Sequence, residues 1–289
     1  MRPAMPARLR NDVKSLLRGL IPLSLRMRFG ALIGGIPWIP AHRRNWWSQE
    51  LVRDLELKDK NAYHKFLWEN HLAYAESYEI DLRFGYENMA ASRKLLFGDL
   101  DQTLKRMNIN RRTDVNSVFE VGCSLGYLLR YMEESYFPSA EKLDGMDIDS
   151  YAIAEGIQYL RGRKSKIRLM QGDMESLQAL LKGSRYDLMF CLGVLMYLDE
   201  CASTALVRTM LAHTNSLLIL SGLAHPTADN KELKQSATRE RDDTFIHNFD
   251  AMVQNASGEV IFRKWEGDTL LDGNSIYFVF SRPLSPKIS

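Results

Sequence analysis

From residue 116 onward, short apolar runs alternate with helical patterns, and no other feature of this 289-residue sequence constrains the fold as strongly. The apolar runs lie at 117–121, 142–146, 167–170, 186–192 and 217–220. The helical patterns between them lie at 125–135, 150–161, 175–182 and 200–212. Alternation of this kind is typical of a mostly parallel sheet whose connecting helices cover both faces.

The last part of the sequence has a different pattern. A helical pattern at 243–255 precedes two strand-like segments, 258–265 and 275–281, with a turn between Gly267 and Gly273. Two such segments joined through glycine predict an antiparallel hairpin. The sequence therefore predicts an α/β fold with a doubly wound, mostly parallel sheet, a closing antiparallel hairpin and a helical N-terminal extension.

The first predicted strand ends in a glycine-containing turn, Val118 to Gly126, with the sequence VFEVGCSLG. In open α/β sheets, ligands bind outside the carboxyl ends of the strands, at the point where the strand order reverses. Gly122 and Gly126 allow the backbone to approach a ligand closely, because neither carries a Cβ atom. This turn is therefore the predicted centre of a binding site.

Two other glycine motifs compete for the same turn. A dinucleotide fingerprint requires glycine at 122, 124 and 127, but this chain has Ser124 and Tyr127. The turn does match G-x-S-x-G, the nucleophile elbow of α/β-hydrolases, with Ser124 as the nucleophile. An elbow normally follows several strands, whereas 49–112 shows helical patterns. A hydrolase remains the weaker alternative.

The turn also resembles the first motif, E/D-x-G-x-x-x-G, of class I S-adenosylmethionine-dependent methyltransferases. Glu120 has no role in the other two interpretations; the resemblance places it near the ammonium group of the methionine moiety, directly or through water. It implies S-adenosylmethionine as cofactor, with Gly122, Cys123, Ser124 and Gly126 in the binding turn. The family often has glycine at the place of Ser124, a departure that puts little in doubt.

Two later segments fall where that family would place them. After the second strand, the resemblance makes Asp147 the acceptor of both ribose hydroxyls and Ile148 a contact of the adenine ring. Asp149 is then the expected cap of the following helix. After the third strand, Asp173 would accept from the adenine amino group, and Met174 would cover the ring.

The fourth strand completes the resemblance. Its end at Leu192 would pass under the methionine moiety, whereas Asp187 at its start reads as structural. Four motifs in order identify residues 115–281 with the methyltransferase family and imply its Rossmann-like fold. The intact acids speak against the other alternative, a non-catalytic protein that uses this fold for binding or scaffolding.

The acceptor is indicated only in outline. The sequence lacks the N/D-P-P-Y/W tetrapeptide that amide and nucleobase methylators of this superfamily carry, so O-methylation of a sugar, lipid-linked glycan or other small acceptor is the leading hypothesis. A hydroxyl acceptor needs alignment and sometimes a base, but no metal. His225 and His247 are the candidate bases, with His71 as a third, and each also fits a loop or capping role.

Charge is distributed unevenly along the chain. Residues 1–48 contain nine Lys and Arg but one acid, Asp12, which leaves 29 basic and 35 acidic residues in the rest. A net acidic body argues against nucleic acid as a partner. The three cysteines form no C-x-x-C pair, which indicates a reducing compartment such as the cytoplasm.

The basic N-terminal segment carries a helical apolar stripe that includes Leu25, Phe29 and Leu32, and its arginines, among them Arg26, flank this stripe. A basic amphipathic arm over 1–48 that binds an anionic membrane is one prediction. An arm that packs on its own body or on a second subunit, giving a homodimer, is the alternative; an Arg-rich start also fits a mitochondrial transit peptide.

The predicted domains follow from these patterns. Residues 1–48 form the arm, 49–112 a helical lid or substrate region, and 113–289 the cofactor-binding domain. No apolar stretch approaches the 18 or more residues that a membrane span requires, so we expect any membrane contact to be peripheral.

Overall fold

The chain consists of two units, Met1–Ile80 and Asp81–Ser289. A computed structural model describes residues 20–36, 38–73, 89–240, 242–271 and 274–284 of them. The described part of the first unit contains three helices, α1 (Leu23–Gly34), α2 (Ala41–Lys58) and α3 (Lys60–Glu69). Over the described ranges, no helix has the length and apolar character needed to cross a membrane.

Helices α1 and α2 pack as an antiparallel pair. The Ser48 hydroxyl donates to the Gly30 carbonyl at 2.7 Å, and the Arg44 guanidinium donates to the Gly34 carbonyl at 2.7 Å. At the other end of α1, the Arg26 guanidinium binds the Asp54 carboxylate with contacts of 2.5 and 2.8 Å. Arg26, which the sequence places beside the apolar stripe, is therefore buried in the helix pair by its contact with Asp54.

The predicted domain boundaries also differ from the two units. A boundary between 48 and 49 falls inside α2, whose Ser48 is fully buried against α1. The helix at Ala91–Arg106, which we call α4, belongs to the second unit and packs on its sheet. The first unit thus contains more than the predicted arm, and the second starts before the predicted cofactor-binding domain. Within the predicted lid or substrate region 49–112, residues 74–88 lie outside the described residues.

Nine strands are described in the second unit. Seven form the main sheet: β1 (Ser117–Val121), β2 (Lys142–Asp147), β3 (Ile167–Gln171), β4 (Tyr186–Leu192), β5 (Thr214–Leu223), β8 (Gly258–Leu271) and β9 (Asn274–Pro283). Two short strands, β6 (Ala237–Thr238) and β7 (Phe245–Ile246), pair separately. The main sheet has the order β3-β2-β1-β4-β5-β9-β8. Strands β1 to β5 are parallel, whereas β9 runs antiparallel to β5 and β8. The predicted fold class is confirmed.

Helices cover both faces of this sheet. They are α5 (Tyr127–Tyr131), α6 (Ser150–Leu160), α7 (Leu177–Leu181), α8 (Glu200–Ala212) and α9 (Phe249–Asn255), together with α4. One face packs the α4 residues Leu96 and Leu100 with Phe190 of β4. The other packs Val207 of α8 with Met189 of β4. Successive β4 side chains therefore enter opposite cores, as expected for a strand covered on both faces.

Two predicted helices are shorter in the structure. The pattern at 243–255 becomes a helix only from Phe249, because Asn248 caps α9 by accepting from the Ala251 N–H at 2.9 Å, and 245–246 pairs as a strand. In the segment 125–135, α5 ends at Tyr131 and a π-helical turn continues over Met132–Tyr136. Neither change moves the carboxyl ends of the central strands, where the candidate site lies.

Candidate functional site

The turn after β1 has the backbone geometry that its glycines predict. Gly122 has φ +77° and Gly126 has φ +78°, both in the left-handed region. A Cβ atom at Gly122 would lie 2.1 Å from Val194 Cγ2, so no other residue fits there without rearrangement. The Gly122 and Cys123 N–H groups donate to the Met146 carbonyl at 2.7 and 3.1 Å. These bonds fix the turn against the end of β2.

Asp147 stands at the end of β2 and connects to the same turn. Its Oδ2 accepts from the Ser124 N–H at 2.7 Å, and its Oδ1 accepts from the Asp149 N–H at 2.9 Å. Removal from water raises the pKa of Asp147, against the lowering effect of these backbone bonds. Each carboxylate oxygen can accept a further hydrogen bond. Asp147, the predicted acceptor of the ribose hydroxyls, is thus held in one orientation, and its carboxylate can still accept hydrogen bonds from a ligand.

Glu120 is the most unusual acid of the site. It lies in β1 and is 3% exposed, and its Oε2 atom has no hydrogen-bond partner among the residues that the structure describes. Burial raises the pKa of Glu120 to about 8; the charge of Arg93 opposes the shift, and that of Asp147 adds to it. A cationic group bound next to this buried carboxyl group would stabilise its charged form.

Arg93, in the first turn of α4, is the functional candidate that the sequence interpretation missed. Its Nη2 donates to the Leu192 carbonyl at 2.9 Å, and its Nη1 lies 3.5 Å from the Ser221 hydroxyl. These contacts place a permanent cation at the ends of β4 and β5. No motif surrounds Arg93 in the sequence; only the packing of α4 on the sheet brings it here.

The adenine side of the predicted site is also assembled. The Gly172 N–H donates to the Asp147 carbonyl at 2.9 Å, which joins the turn after β3 to the end of β2. In that turn, Asp173 Oδ1 accepts from the Ser176 N–H at 3.0 Å. Met174 packs partly buried against the core of the α8 face, and Ile148 is half-buried. The roles of these residues toward adenine stay predictions.

Two acids have the structural roles that the sequence predicts. Asp149 accepts from the Ala152 N–H at 3.0 Å and caps α6. Asp187, at the start of β4, accepts from the N–H groups of Asn116 and Ser117 at 2.8 and 3.0 Å. Asp187 therefore lies at the amino end of its strand, opposite the edge that carries the candidate site.

The two candidate bases, His225 and His247, form hydrogen bonds to other groups of the protein through their ring nitrogens. The ring of His247 is 2% exposed; Nε2 lies 2.9 Å from the Leu195 carbonyl, and Nδ1 lies 2.6 Å from the Ser236 hydroxyl. Both ring nitrogens are therefore engaged. Nδ1 of His225 accepts from the Ala228 N–H at 3.1 Å and stabilises the loop after β5. A catalytic role for either histidine stays a prediction that this geometry does not favour.

His71, the third candidate, belongs to the first unit and follows α3. The structure also disfavours the hydrolase alternative. Strand β1 is the first strand of the described residues, whereas a nucleophile elbow follows several strands. Within the described residues, no group of three or more His, Cys, Asp or Glu side chains is arranged to hold a metal ion.

Comparison with known proteins places this geometry in context. Residues 118–216 match a family model described as a methyltransferase domain, a segment that runs from β1 into β5 and contains all four motifs. A search of curated protein sequences finds no match. The family model therefore covers the cofactor motifs but not the helices of the first unit.

Several solved structures are similar to this chain. Magnesium protoporphyrin IX methyltransferase from Synechocystis PCC 6803, solved with bound S-adenosylmethionine, has a TM-score of 0.53 at 15% identity, covering 78% of this chain and 98% of that one. An S-adenosylmethionine-dependent methyltransferase from Clostridium acetobutylicum ATCC 824 has a TM-score of 0.50 at 11% identity, covering 74% and 99%. The (4+2) cyclase SpnF has a TM-score of 0.52 at 12% identity, covering 72% and 86%. Such distant likeness establishes the fold alone.

Proposed function

The chain carries a class I S-adenosylmethionine-dependent methyltransferase domain, and from this premise we propose that it methylates a hydroxyl oxygen of a sugar, a lipid-linked glycan or another small acceptor. In this reaction the acceptor oxygen attacks the methyl carbon, and the carbon–sulfur bond breaks. Sulfur keeps the electron pair, so S-adenosylhomocysteine leaves, and the hydroxyl proton passes to solvent water. The residues of the site bind and align the reactants.

The observation that carries the proposal is a buried carboxyl group and a permanent cation at the carboxyl edge of the sheet. The methionine moiety of the cofactor bears an ammonium and a carboxylate. In our proposal Glu120, whose buried Oε2 has no partner within the described structure, receives the ammonium. Arg93, which the Leu192 carbonyl and the Ser221 hydroxyl hold at the edge, receives the carboxylate. Both charged ends are then matched.

The nucleoside is assigned to the neighbouring strand ends. Asp147 accepts from the ribose hydroxyls, since its backbone bonds to Ser124 and Asp149 orient both oxygens. Asp173 accepts from the adenine amino group, with Met174 and Ile148 against the ring. The glycine turn lies beside the chain of atoms that joins the two ends of the cofactor.

The acceptor is assigned by weaker arguments. The missing tetrapeptide disfavours amide and nucleobase nitrogen, and the acidic body disfavours nucleic acid. Because the two candidate histidines are engaged in structural hydrogen bonds, the proposal gives neither the role of base. The basic first 48 residues favour an acceptor at an anionic membrane surface.

A transfer experiment tests the proposal. The full-length protein is incubated with methyl-labelled S-adenosylmethionine and with separate lipid, glycan and small-molecule extracts. We expect label in one fraction, stable to conditions that cleave methyl esters, and less label with the Asp147→Ala variant when the cofactor concentration is limiting. Label on nitrogen, or no transfer to any fraction despite cofactor binding, would contradict O-methylation.

A further inference from the structure

Large apolar side chains remain exposed on the first unit. Among the described residues of α1, α2 and their flanks, eight are more than two-fifths exposed: Leu20, Leu25, Phe29, Leu32, Trp38, Trp46, Trp47 and Leu57. The much larger second unit shows only Tyr151, Ile157 and Leu284 in its described part. A concentration of this kind marks an interaction surface rather than scattered surface apolar residues.

The packing of α1 explains why these side chains are outside. Leu25, Phe29 and Leu32 recur at helical spacing and share the outward face. The opposite face contacts α2 through Gly30, whose carbonyl accepts from Ser48, and through Arg26. An ordinary surface helix buries its apolar stripe and exposes its charges. Helix α1 packs Leu23, Met27 and Ala31 against the core of the first unit, and a second apolar stripe on its outward face remains at the surface, available to a partner.

The charges around the stripe are of one sign. Residues 20–48 contain four arginines and no acidic residue. Arg26 is buried in its pair with Asp54, and Arg44 is half-buried with a bond to the Gly34 carbonyl. Arg28 and Arg43 are exposed. The structure thus removes half of the positive charges from the surface but leaves a cationic border to the apolar face.

We propose that the face formed by Leu25, Arg28, Phe29 and Leu32, which we call the α1 face, docks on an anionic lipid bilayer. This inference rests on the proposed function, because docking of the α1 face would bring the protein to an acceptor held at the membrane. Apolar side chains enter the acyl boundary, and arginines attract anionic headgroups. Helix α2 adds Trp46 and Trp47, which are exposed and pack edge-to-face at 5.0 Å; tryptophan is favoured at headgroup level.

Vesicle binding by the full-length protein tests the α1 face. We expect co-sedimentation with vesicles of phosphatidylcholine and phosphatidylglycerol, less with phosphatidylcholine alone, and less at high salt. The triple variant Leu25→Ser/Phe29→Ser/Leu32→Ser should bind at least about tenfold more weakly, because it loses the buried apolar area. The control Ile157→Ser removes an apolar side chain of the second unit that is 42% exposed, like Leu25, and should bind as the native chain does.

Further outcomes separate this inference from its alternatives. Equal vesicle binding by the native chain and the triple variant, or none by either, would overturn it. A second result would also overturn it: in the absence of lipid, the native protein is a dimer and the triple variant is a monomer. The α1 face would then be a subunit interface. Circular dichroism and thermal unfolding confirm that each variant is folded, and titration with S-adenosylhomocysteine measures its cofactor binding. Loss of cofactor binding in every form, native included, would count against the proposed function and leave the docking result standing.

Discussion

The N–H of Ser124 donates to Oδ2 of Asp147 at 2.7 Å, which fastens the turn after β1 to the end of β2. Through this bond, a backbone group in the glycine motif orients the carboxylate that the proposal assigns to ribose. The bond also requires an acceptor at Oδ2, so the conformation of the turn and the ribose contact depend on the same side chain.

Asp147→Ala should weaken binding of S-adenosylhomocysteine by about 1.5 to 3 kcal/mol, as expected for lost hydrogen bonds to a charged group. The loss includes the altered turn at Ser124. Isothermal titration measures it. Asp114→Ala is the control, because Asp114 is an exposed acid in the loop before β1. Native affinity in Asp147→Ala would remove the ribose assignment.

Glu120 predicts a pH dependence of cofactor binding. Before the cofactor binds, burial raises the pKa of Glu120 to about 8, so the group is mostly protonated at neutral pH. An arriving ammonium favours the carboxylate, and binding should therefore release a proton. Affinity should rise up to about pH 8 and fall about tenfold per unit below it, because each unit of pH costs one proton equivalent.

The measurement is titration at pH 7 in buffers of different ionisation enthalpy, which reports the protons released. Glu120→Gln keeps the size of the side chain but cannot ionise. It should bind more weakly at pH 8 and show no release. A native protein that takes up protons, or a Glu120→Gln variant with the same release, would contradict the assignment.

The sequence predicts the part of the site that is local in the chain. Gly122 follows β1 directly and Asp147 is the last residue of β2, so identifying the strands also locates the acids and the turn. Capping by Asp149 is equally local, since donor and acceptor are three residues apart. The same alternation of elements predicts that the sheet is mostly parallel, although it does not predict the strand order.

Contacts between distant residues were not predictable in the same way. Arg93 and Leu192 are 99 positions apart, and only the docking of α4 on the sheet joins them. Arg26 lies beside a helical apolar stripe, and its burial depends on Asp54, 28 residues later. The sequence places His247 in a predicted helix, whereas its ring contacts the Leu195 carbonyl, 52 residues away, and the Ser236 hydroxyl. In each case, the environment of the side chain depends on packing against residues far away in the sequence, which the local sequence pattern does not predict.

We expect the His247 side chain to stabilise the folded protein and to take no part in methyl transfer. Its Nε2 bonds to the Leu195 carbonyl and its Nδ1 to the Ser236 hydroxyl, so His247→Ala leaves buried polar groups unsatisfied. We expect a cost of about 2 kcal/mol or more in unfolding free energy. Chemical denaturation measures this cost, and the control Gln178→Ala, at an exposed position, should cost nothing measurable. Once a methyl acceptor is known, a folded His247→Ala protein with abolished turnover would restore the catalytic role.

The same histidine gives stability a defined pH dependence. Burial lowers the pKa of His247 in the folded protein, so the unfolded chain binds the proton more readily. Its contribution is complete above the unfolded pKa of about 6.5 and is lost as pH falls through the lower folded pKa. Between pH 7 and pH 5, the native protein should therefore lose more stability than His247→Ala. Parallel losses would show that His247 is not the group responsible.

Arg93→Leu provides the sharpest test of the charge pair. The variant removes the proposed partner of the methionine carboxylate and should weaken cofactor binding by about 1.5 to 3 kcal/mol, the value of hydrogen bonds to a charged group. It also removes the positive charge that lowers the pKa of Glu120, so that pKa should move above about 8. The pH at which affinity reaches its plateau should shift upward with it. A purely structural role for Arg93 would lower the unfolding free energy without moving this plateau. Arg112→Leu, at an exposed arginine before β1, is the matched control and should alter neither quantity. Unchanged affinity and an unchanged plateau in Arg93→Leu would leave Glu120 without its assigned counterpart and remove the charge pair from the proposed function.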